Sequence, residues 1–287
     1  MRGWLVVNGF LQSDKFSQLY AYLQAAANGE GIRLECLSSH QLYALDDREL
    51  FSGGKPDFVL FWDKDYPLAK RLEQLGLRLF NTADAMRACD DKMLTALALY
   101  GKVATPKTLF APKTFEGIGY TNLSFLDEAE RQLSYPMVVK EAFGSFGRQV
   151  YLVRNRKELE STVLSMGYKP FLLQEFIAES AGRDVRINVV GGKVFCAILR
   201  ENAGDFRSNI TGGGKGVAYV PTSAEAEIAL AACRALGLDY GGVDVLFGKD
   251  GPLVCEVNSN PHFKSTYDCT GLDMSVEIMR YVKGEMV

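Results

Sequence analysis

Two apolar segments near the C-terminal end, Val243-Asp244-Val245-Leu246-Phe247 and Leu253-Val254-Cys255-Glu256-Val257-Asn258, are joined by Gly248-Lys249-Asp250-Gly251-Pro252. A link that short and rich in Gly and Pro reverses the chain, so the pair reads as an antiparallel hairpin. Its register decides where the polar side chains go. Glu256 and Asn258 are two apart and share a face. A two-residue turn at Asp250-Gly251 sets Asp244 opposite Val257. A three-residue loop, Lys249-Asp250-Gly251, sets Asp244 opposite Glu256, with Gly251 at the left-handed position that such a loop wants. The sequence favours the second register, which gathers Asp244, Glu256 and Asn258 on one face. Two carboxylates and an amide oxygen form a hard donor set suited to Mg²⁺. A solvent-facing edge with alternating polar residues is the competing reading.

The rest of the chain divides by texture. Up to about residue 80, strand and helix signals alternate. Leu5-Val6-Val7 is followed by a helical stripe of Leu19, Tyr22, Leu23 and Ala26, and Phe58-Val59-Leu60-Phe61-Trp62 by Leu68, Leu72 and Leu75. This predicts a small parallel α/β domain. Asn81-Thr82 caps one further helix with Ala85, Met86, Cys89, Met93 and Leu97 as its stripe. Residues 107 to 124 read as a strand end plus loop. From about 135 strands dominate: Met137–Lys140, Val150–Val153, Phe171–Glu175, then a hairpin from Val185 to Leu199 turning at Gly191-Gly192. A two-residue turn there places Arg186 and Arg200 on opposite faces, and Arg200 is the one expected to face a cleft. Thr222 and Glu225 form a capping box for a helix from Ala224 to Leu236, ended by Gly237.

The formal net charge is −3 over 287 residues, so the overall field favours neither nucleic acid nor an anionic membrane. No uncharged apolar run approaches the ~20 residues of a membrane span, and the N-terminal apolar run is too short for a signal peptide. The six cysteines contain no C-x-x-C pair and read as reduced core residues of a cytoplasmic protein. With His40 and His262 the only histidines, a zinc site or a histidine-based triad has little raw material.

Three further segments carry candidate chemistry. Lys140 ends an apolar strand and precedes Phe143-Gly144-Ser145-Phe146-Gly147-Arg148. Gly144 and Gly147 let the backbone approach an anion and Ser145 adds a donor, although the segment is neither a Walker A loop nor a G-x-G-x-x-G fingerprint. A plain hairpin turn is the alternative. Lys92 beside a buried stripe is ordinarily a snorkelling surface residue. The loop from Gly204 to Gly216 holds Arg207, Ser208 and Asn209 among five glycines, which suits polyphosphate or a flexible surface loop.

In order, these pieces read Lys92, Pro136-Met137-Val138-Val139-Lys140, Gly144-Ser145-Phe146-Gly147, Gln174-Glu175-Phe176-Ile177, Gly182-Arg183-Asp184-Val185-Arg186, Asp205-Phe206-Arg207-Ser208-Asn209, Gly241-Gly242-Val243-Asp244 and Glu256-Val257-Asn258-Ser259-Asn260-Pro261. The series closely resembles the ATP-grasp superfamily, and within it the RimK-type α-L-glutamate ligases, from about residue 57 to the end. The resemblance implies α/β and α+β architecture: an N-terminal α/β domain (1–82), a small central domain (83–172) and a C-terminal α+β domain (173–287), with ATP between the last two. It implies that Lys92 and Lys140 contact phosphates, and that Gln174, Glu175, Phe176 and Ile177 read adenine, with Asp184 near the ribose. Asp244, Glu256 and Asn258 would hold Mg²⁺, or alternatively Mn²⁺. Arg200, Arg207, Ser208 and Asn209 would surround the γ-phosphate and the acceptor carboxylate.

The implied reaction joins a small-molecule or peptide carboxylate to an amino-acid amine through an acyl phosphate, leaving ADP and phosphate. A Mg·ATP-binding protein without turnover and a small-molecule kinase are the alternatives, and a homo-oligomer stays open. Two departures from the family pattern stand out. Pro261 is followed by His262, Phe263 and Lys264, which are expected near the acceptor pocket, and the glycine-rich turn carries Phe146 and Arg148.

Overall fold

In the computed structural model the described residues are 1–11 and 13–287, with residue 211 described for its backbone only. The first unit runs β1 (Arg2–Val7), α1 (Asp14–Gly29), β2 (Arg33–Ser38), α2 (Ser39–Tyr43), α3 (Asp47–Leu50), β3 (Phe58–Trp62), α4 (Tyr66–Gln74) and β4 (Leu79–Phe80). Its strands form a parallel sheet in the order β2-β1-β3-β4. The near-continuous apolar character of β1 and β3 follows from burial on both faces. Leu5, Val7, Phe58 and Leu60 enter one core, and Trp4, Val6, Val59 and Phe61 the other.

The chain continues through α5 (Ala83–Asp90), α6 (Lys92–Leu99), β5 (Thr108–Phe110), α7 (Phe125–Leu133), β6 (Met137–Glu141), β7 (Val150–Val153), α8 (Arg156–Met166) and β8 (Phe171–Glu175). The expected single helix after Thr82 is two. Asp91 breaks it, because its carboxylate caps a new N-terminus by accepting from Met93 N and Leu94 N. Leu97, assigned to a buried stripe, is exposed. Strands β5 to β8 form an antiparallel sheet in the order β5-β8-β6-β7. Helices α7 and α8 cover it to make a separate core around Leu126, Val139, Val163 and Phe171.

The last unit contains β9 (Arg183–Val190), β10 (Lys193–Glu201), β11 (Lys215–Tyr219), α9 (Ser223–Leu236), β12 (Tyr240–Gly248), β13 (Gly251–Asn258), α10 (Lys264–Thr270) and α11 (Met274–Glu285). Its antiparallel sheet has the order β11-β10-β9-β12-β13. Cys89 of α5 and Leu99 of α6 share a core with α9 beneath this sheet. Strand β11 starts inside the glycine-rich segment that the sequence presents as loop.

The first of the two glycine-turned hairpins departs from its expected register, and the second reaches its expected register by another route. In the first, Gly191-Gly192 is a two-residue turn with positive φ at both positions, as the right-handed twist of the flanking strands requires. A bulge between Val194 and Cys196 then adds one residue, so Arg186 faces Ile198 and Asp184 faces Arg200. Arg186 and Arg200 therefore share a face, contrary to the opposite faces expected of a regular ladder. In the second, Gly248 pairs with Gly251, so the turn is Lys249-Asp250 rather than the three-residue loop, and Gly251 at φ 137 is not left-handed α. That turn alone would set Asp244 against Cys255. A bulge between the Asp244 and Val245 pairings restores Asp244 opposite Glu256.

The N-terminal sheet and the C-terminal unit are one packed body. Val190, Tyr240, Phe263, Ile278 and Val282 fill the same core as Leu5 and Phe58. Asn81 is fully buried between them. Its Nδ2 donates to Tyr240 O and Ser259 O, both at 2.9 Å, and its Oδ1 accepts from Asp239 N at 2.6 Å and Tyr240 N at 3.3 Å. No helix among the described residues is long and apolar enough to cross a membrane. All six cysteines are free, and Cys36 is exposed rather than in the core.

Candidate active site

Between the central sheet and the C-terminal sheet lies a cleft whose walls come from β6, β8, β9, β10, β12 and β13. Gln174, Glu175, Phe176 and Ile177 line it where the chain leaves β8 for the C-terminal unit. Lys140 reaches it from the end of β6. Although buried, its ammonium is held by Gln174 Oε1 at 2.7 Å and Cys255 Sγ at 3.5 Å. Gln174 in turn donates to Thr108 Oγ1 at 2.9 Å, which fixes its acceptor toward the lysine. Lys92, the first residue of α6, donates to Gly144 O at 3.0 Å. It lines an adjoining cavity that shares Lys140, Gln174, Cys255 and Glu256 with the main cleft. Burial pushes the Lys92 ammonium below its ordinary pKa, with Glu256 opposing and Lys140 adding to the shift. Lys92 is a half-buried cation whose ammonium turns inward to Gly144 O rather than out to solvent, which removes the snorkelling reading.

Asp244, Arg186, Arg200 and Asp184 make a buried quartet. Arg200 donates to Asp184 through Nε at 2.7 Å and Nη2 at 2.5 Å, and Nη2 also lies 3.0 Å from Asp244 Oδ1. Arg186 is bidentate on Asp244, with Nε on Oδ1 and Nη2 on Oδ2 at 2.8 Å. Burial alone would raise the Asp244 carboxyl, but Arg186 and Arg200 outweigh it and hold it below the usual carboxylate range. Asp184 thus binds Arg200 through both oxygens while still lining the cleft.

Arg207 is paired with Asp205 and donates through Nη1 to Gly147 O at 2.6 Å. The glycine-rich turn is therefore stapled to the 205–209 loop, with Ser208 and Asn209 in the cleft wall. A Cβ on Gly147 would fall 2.5 Å from Asn209 Oδ1 at a φ of +71°, so only glycine fits this contact. Ser145 points elsewhere: its Oγ accepts from Lys64 Nζ at 3.3 Å, on the side of the N-terminal sheet.

The donor set expected for a divalent ion is Asp244, Glu256 and Asn258. No group of three or more His, Cys, Asp and Glu able to hold a metal occurs among the described residues, so the candidate is two carboxylates with one amide. Glu256 fits the role, since its carboxylate has no hydrogen bond or ion pair among the described residues and lines the cleft. Asn258 lies two residues along the same strand, outside the residues that line the cleft, and the atom it leaves enclosed without a partner among the described residues is Nδ2, a donor. Asp244 is committed to the arginines, so the fit rests on Glu256 with Asp244 behind it.

Sequence reasoning missed Arg186 as a member of the quartet and Cys255 as a lining residue. Both follow from bulges that leave no compositional mark. Phe263 and Lys264, expected near the acceptor pocket, have other contacts. Phe263 is a core residue against Trp62 and Tyr22, and Lys264 pairs with Asp268 at 2.8 Å.

A hinge strand, two inward-turned lysines, a glycine turn and a carboxylate hairpin closing one cleft between two α+β units define an ATP-grasp enzyme, the class of ligases built on this fold. The chain belongs to the RimK-like ATP-grasp domain family, whose model matches residues 90–282. It is 33% identical over 243 residues to the uncharacterized protein MG012 homolog of Mycoplasma pneumoniae, covering 83% of this chain and 84% of that one. It is 36% identical over 220 residues to a probable alpha-L-glutamate ligase of Syntrophotalea carbinolica, covering 75% and 70%. Against beta-citrylglutamate synthase B of Danio rerio it is 35% identical over 224 residues, covering 77% of this chain but 54% of that protein. Among solved structures, D-alanine–D-alanine ligase from Bacillus anthracis complexed with ATP superposes with a TM-score of 0.74 at 19% identity, over 100% and 97% of the two chains, which shows the shared fold.

Proposed function

We propose that the protein joins a small-molecule or peptide carboxylate to an amino-acid amine, with glutamate among the candidate amino acids, through an acyl phosphate made at the expense of Mg·ATP. The observation that carries this is that Lys140 and Glu256 line both the cleft and the adjoining cavity that holds Lys92, with Gly147 of the stapled glycine turn in the same cleft wall. Phosphoryl transfer to a carboxylate needs charge neutralisation and alignment rather than a strong nucleophile. Magnesium and the triphosphate supply the activated phosphoryl group.

The chain's part is positional. The segment from Gln174 to Ile177 offers a hinge edge to a base. Lys140 and Lys92 supply positive charge from inward-turned stems, and Glu256 offers oxygens to the ion. Arg200 sets Asp244 behind it, and Arg207 holds Gly147 over the cleft. The units 1–82, 83–172 and 173–287 would serve as base, lid and floor. The six unpaired cysteines suit a cytoplasmic setting.

The test is release of ADP and phosphate from purified protein given Mg·ATP, a panel of carboxylates and a panel of amino acids. The reading expects release only when both an acid and an amine are present, with an amide product by mass. A stable phosphorylated product would instead make the protein a kinase. Binding of Mg·ATP without product across the panel would make it a nucleotide-binding protein without turnover.

A further inference from the structure

Strands β5, β8 and β6 lie side by side, and their register puts three polar side chains on one face of the central sheet. Thr108 is directly opposite Gln174. Gln174 is opposite Val138, so Lys140, two residues on, is its diagonal neighbour on the same face. The three are hydrogen-bonded in a row. Lys140 Nζ donates to Gln174 Oε1 at 2.7 Å, Gln174 Nε2 donates to Thr108 Oγ1 at 2.9 Å, and Thr108 Oγ1 donates to Pro106 O at 2.8 Å. Lys140 and Gln174 line the main cleft, whereas Thr108 lines the adjoining cavity and stands outside the cleft wall.

Counting protons settles the direction of this row. A carbonyl oxygen such as that of Pro106 can only accept. The single hydroxyl proton of Thr108 is spent on it, so Oγ1 has only lone pairs left for Gln174, and the amide turns its Nε2 that way. Its Oε1 then falls to the ammonium. Lys140 and Gln174 are each 7% exposed, so the reverse orientation would set an NH₂ group against the ammonium, donor facing donor, with little water to relieve either. The far end of the row is anchored by backbone. Glu175 N donates to Lys107 O at 2.9 Å, and Lys107 N donates to Glu175 Oε1 at 2.6 Å. At the near end Lys140 has three N–H donors. Gln174 takes one and Cys255 Sγ, at 3.5 Å, a second, which leaves the third for an anion in the cleft.

We propose that Thr108 is a positioning residue for nucleotide binding: acting through Gln174, it aims the Lys140 ammonium at the phosphates without touching them. The proposal rests on the ligase reading, which puts those phosphates in the cleft.

The experiment is calorimetric titration of the full chain, in excess Mg²⁺, with a non-hydrolysable ATP analogue. Thr108→Val keeps the side-chain shape and removes the acceptor, so the Gln174 amide is free to turn. Affinity is expected to fall about tenfold, the scale of one hydrogen bond to a charged group. Thr108→Ser restores the hydroxyl and is expected to bind within about twofold of the parent. Gln174→Leu breaks the row at its centre and is expected to lose as much as Thr108→Val. Adding Thr108→Val to it should cost no more than about twofold, since nothing is left for Thr108 to orient. Thr108→Ala takes the place of Thr108→Val should the latter not fold. The proposal is overturned if removing the hydroxyl leaves affinity unchanged, if Thr108→Ser binds as weakly as Thr108→Val, or if the losses at 108 and 174 add. A parent that takes the analogue while Thr108→Val takes it equally well sinks only the positioning role, whereas a parent that takes no analogue sinks the ligase reading.

Discussion

Asp244 and Glu256 face one another across two strands, yet the fold depends on them unequally. Removing Asp244 strands Arg186, whose hydrogen bonds among the described residues all go to that carboxylate, while Arg200 keeps Asp184, and breaking a buried ion pair on one side costs about 3–5 kcal/mol. Asp244→Ala is therefore expected to lower urea-unfolding stability by about that much. Glu256 has no partner to strand, so Glu256→Gln is expected to stay within about 0.5 kcal/mol of the parent while ADP release falls about 100-fold or more, as for other single electrostatic groups at a reacting centre. A pair of variants that lose stability equally would contradict the structure. His262 gives a pH dependence. Its folded pKa, about 4, lies below the ~6.5 of an exposed imidazole, so its contribution to stability is complete above ~6.5 and is lost as pH falls toward 4. The melting temperature should drop between pH 7 and pH 5, and His262→Gln should flatten that drop. At this scale the sequence revealed residue types but not commitments: nothing in the string Val243-Asp244-Val245 says that the carboxylate is already spoken for.

Elements were legible where a local pattern sets them. The strands at Phe58–Trp62 and Val150–Val153 end where their apolar runs end, and that at Phe171–Glu175 runs two polar residues further. Helix α9 begins at its capping box, in which Thr222 Oγ1 accepts from Glu225 N at 3.3 Å and Glu225 accepts from Thr222 N at 2.8 Å. Thr222→Ala is expected to cost about 1 kcal/mol in chemical denaturation. What a pattern cannot carry is an extra residue in a ladder. The bulges in both hairpins shift register by one, and each shift turns side chains to the other face. Asp244 met Glu256 as expected, but by a two-residue turn plus a bulge. Arg186 and Arg200 met each other against expectation. The stapled glycine turn supplies a further measurement. Gly147→Ala forces Asn209 aside at a φ unfavourable to any side chain, so the KM for ATP should rise several-fold while the melting temperature changes little, because the turn lies outside the cores.

For the molecule as a whole, the N-terminal sheet shares one core with the C-terminal unit, whereas the central sheet keeps a core of its own and meets the C-terminal unit through polar contacts. Asn81 saturates both ends of its amide on backbone groups of the other unit. Each buried group left unpaired costs about 1–3 kcal/mol, so Asn81→Ala should lower unfolding stability by about 3 kcal/mol or more, measured by urea titration. That joint was not legible, since a lone Asn before Thr82 reads as helix capping and its partners lie some 160 residues away.

The buried quartet of Asp184, Arg200, Asp244 and Arg186 also bears on how the protein reaches its working form. Two acids and two guanidinium groups cancel, so the cleft floor is electrically settled before any ion arrives. Unlike small metal-nucleated domains, whose chains stay unstructured until loaded, this one can leave the ribosome, fold and wait. On the proposed reading, withdrawing the divalent ion would stop turnover and leave the fold standing.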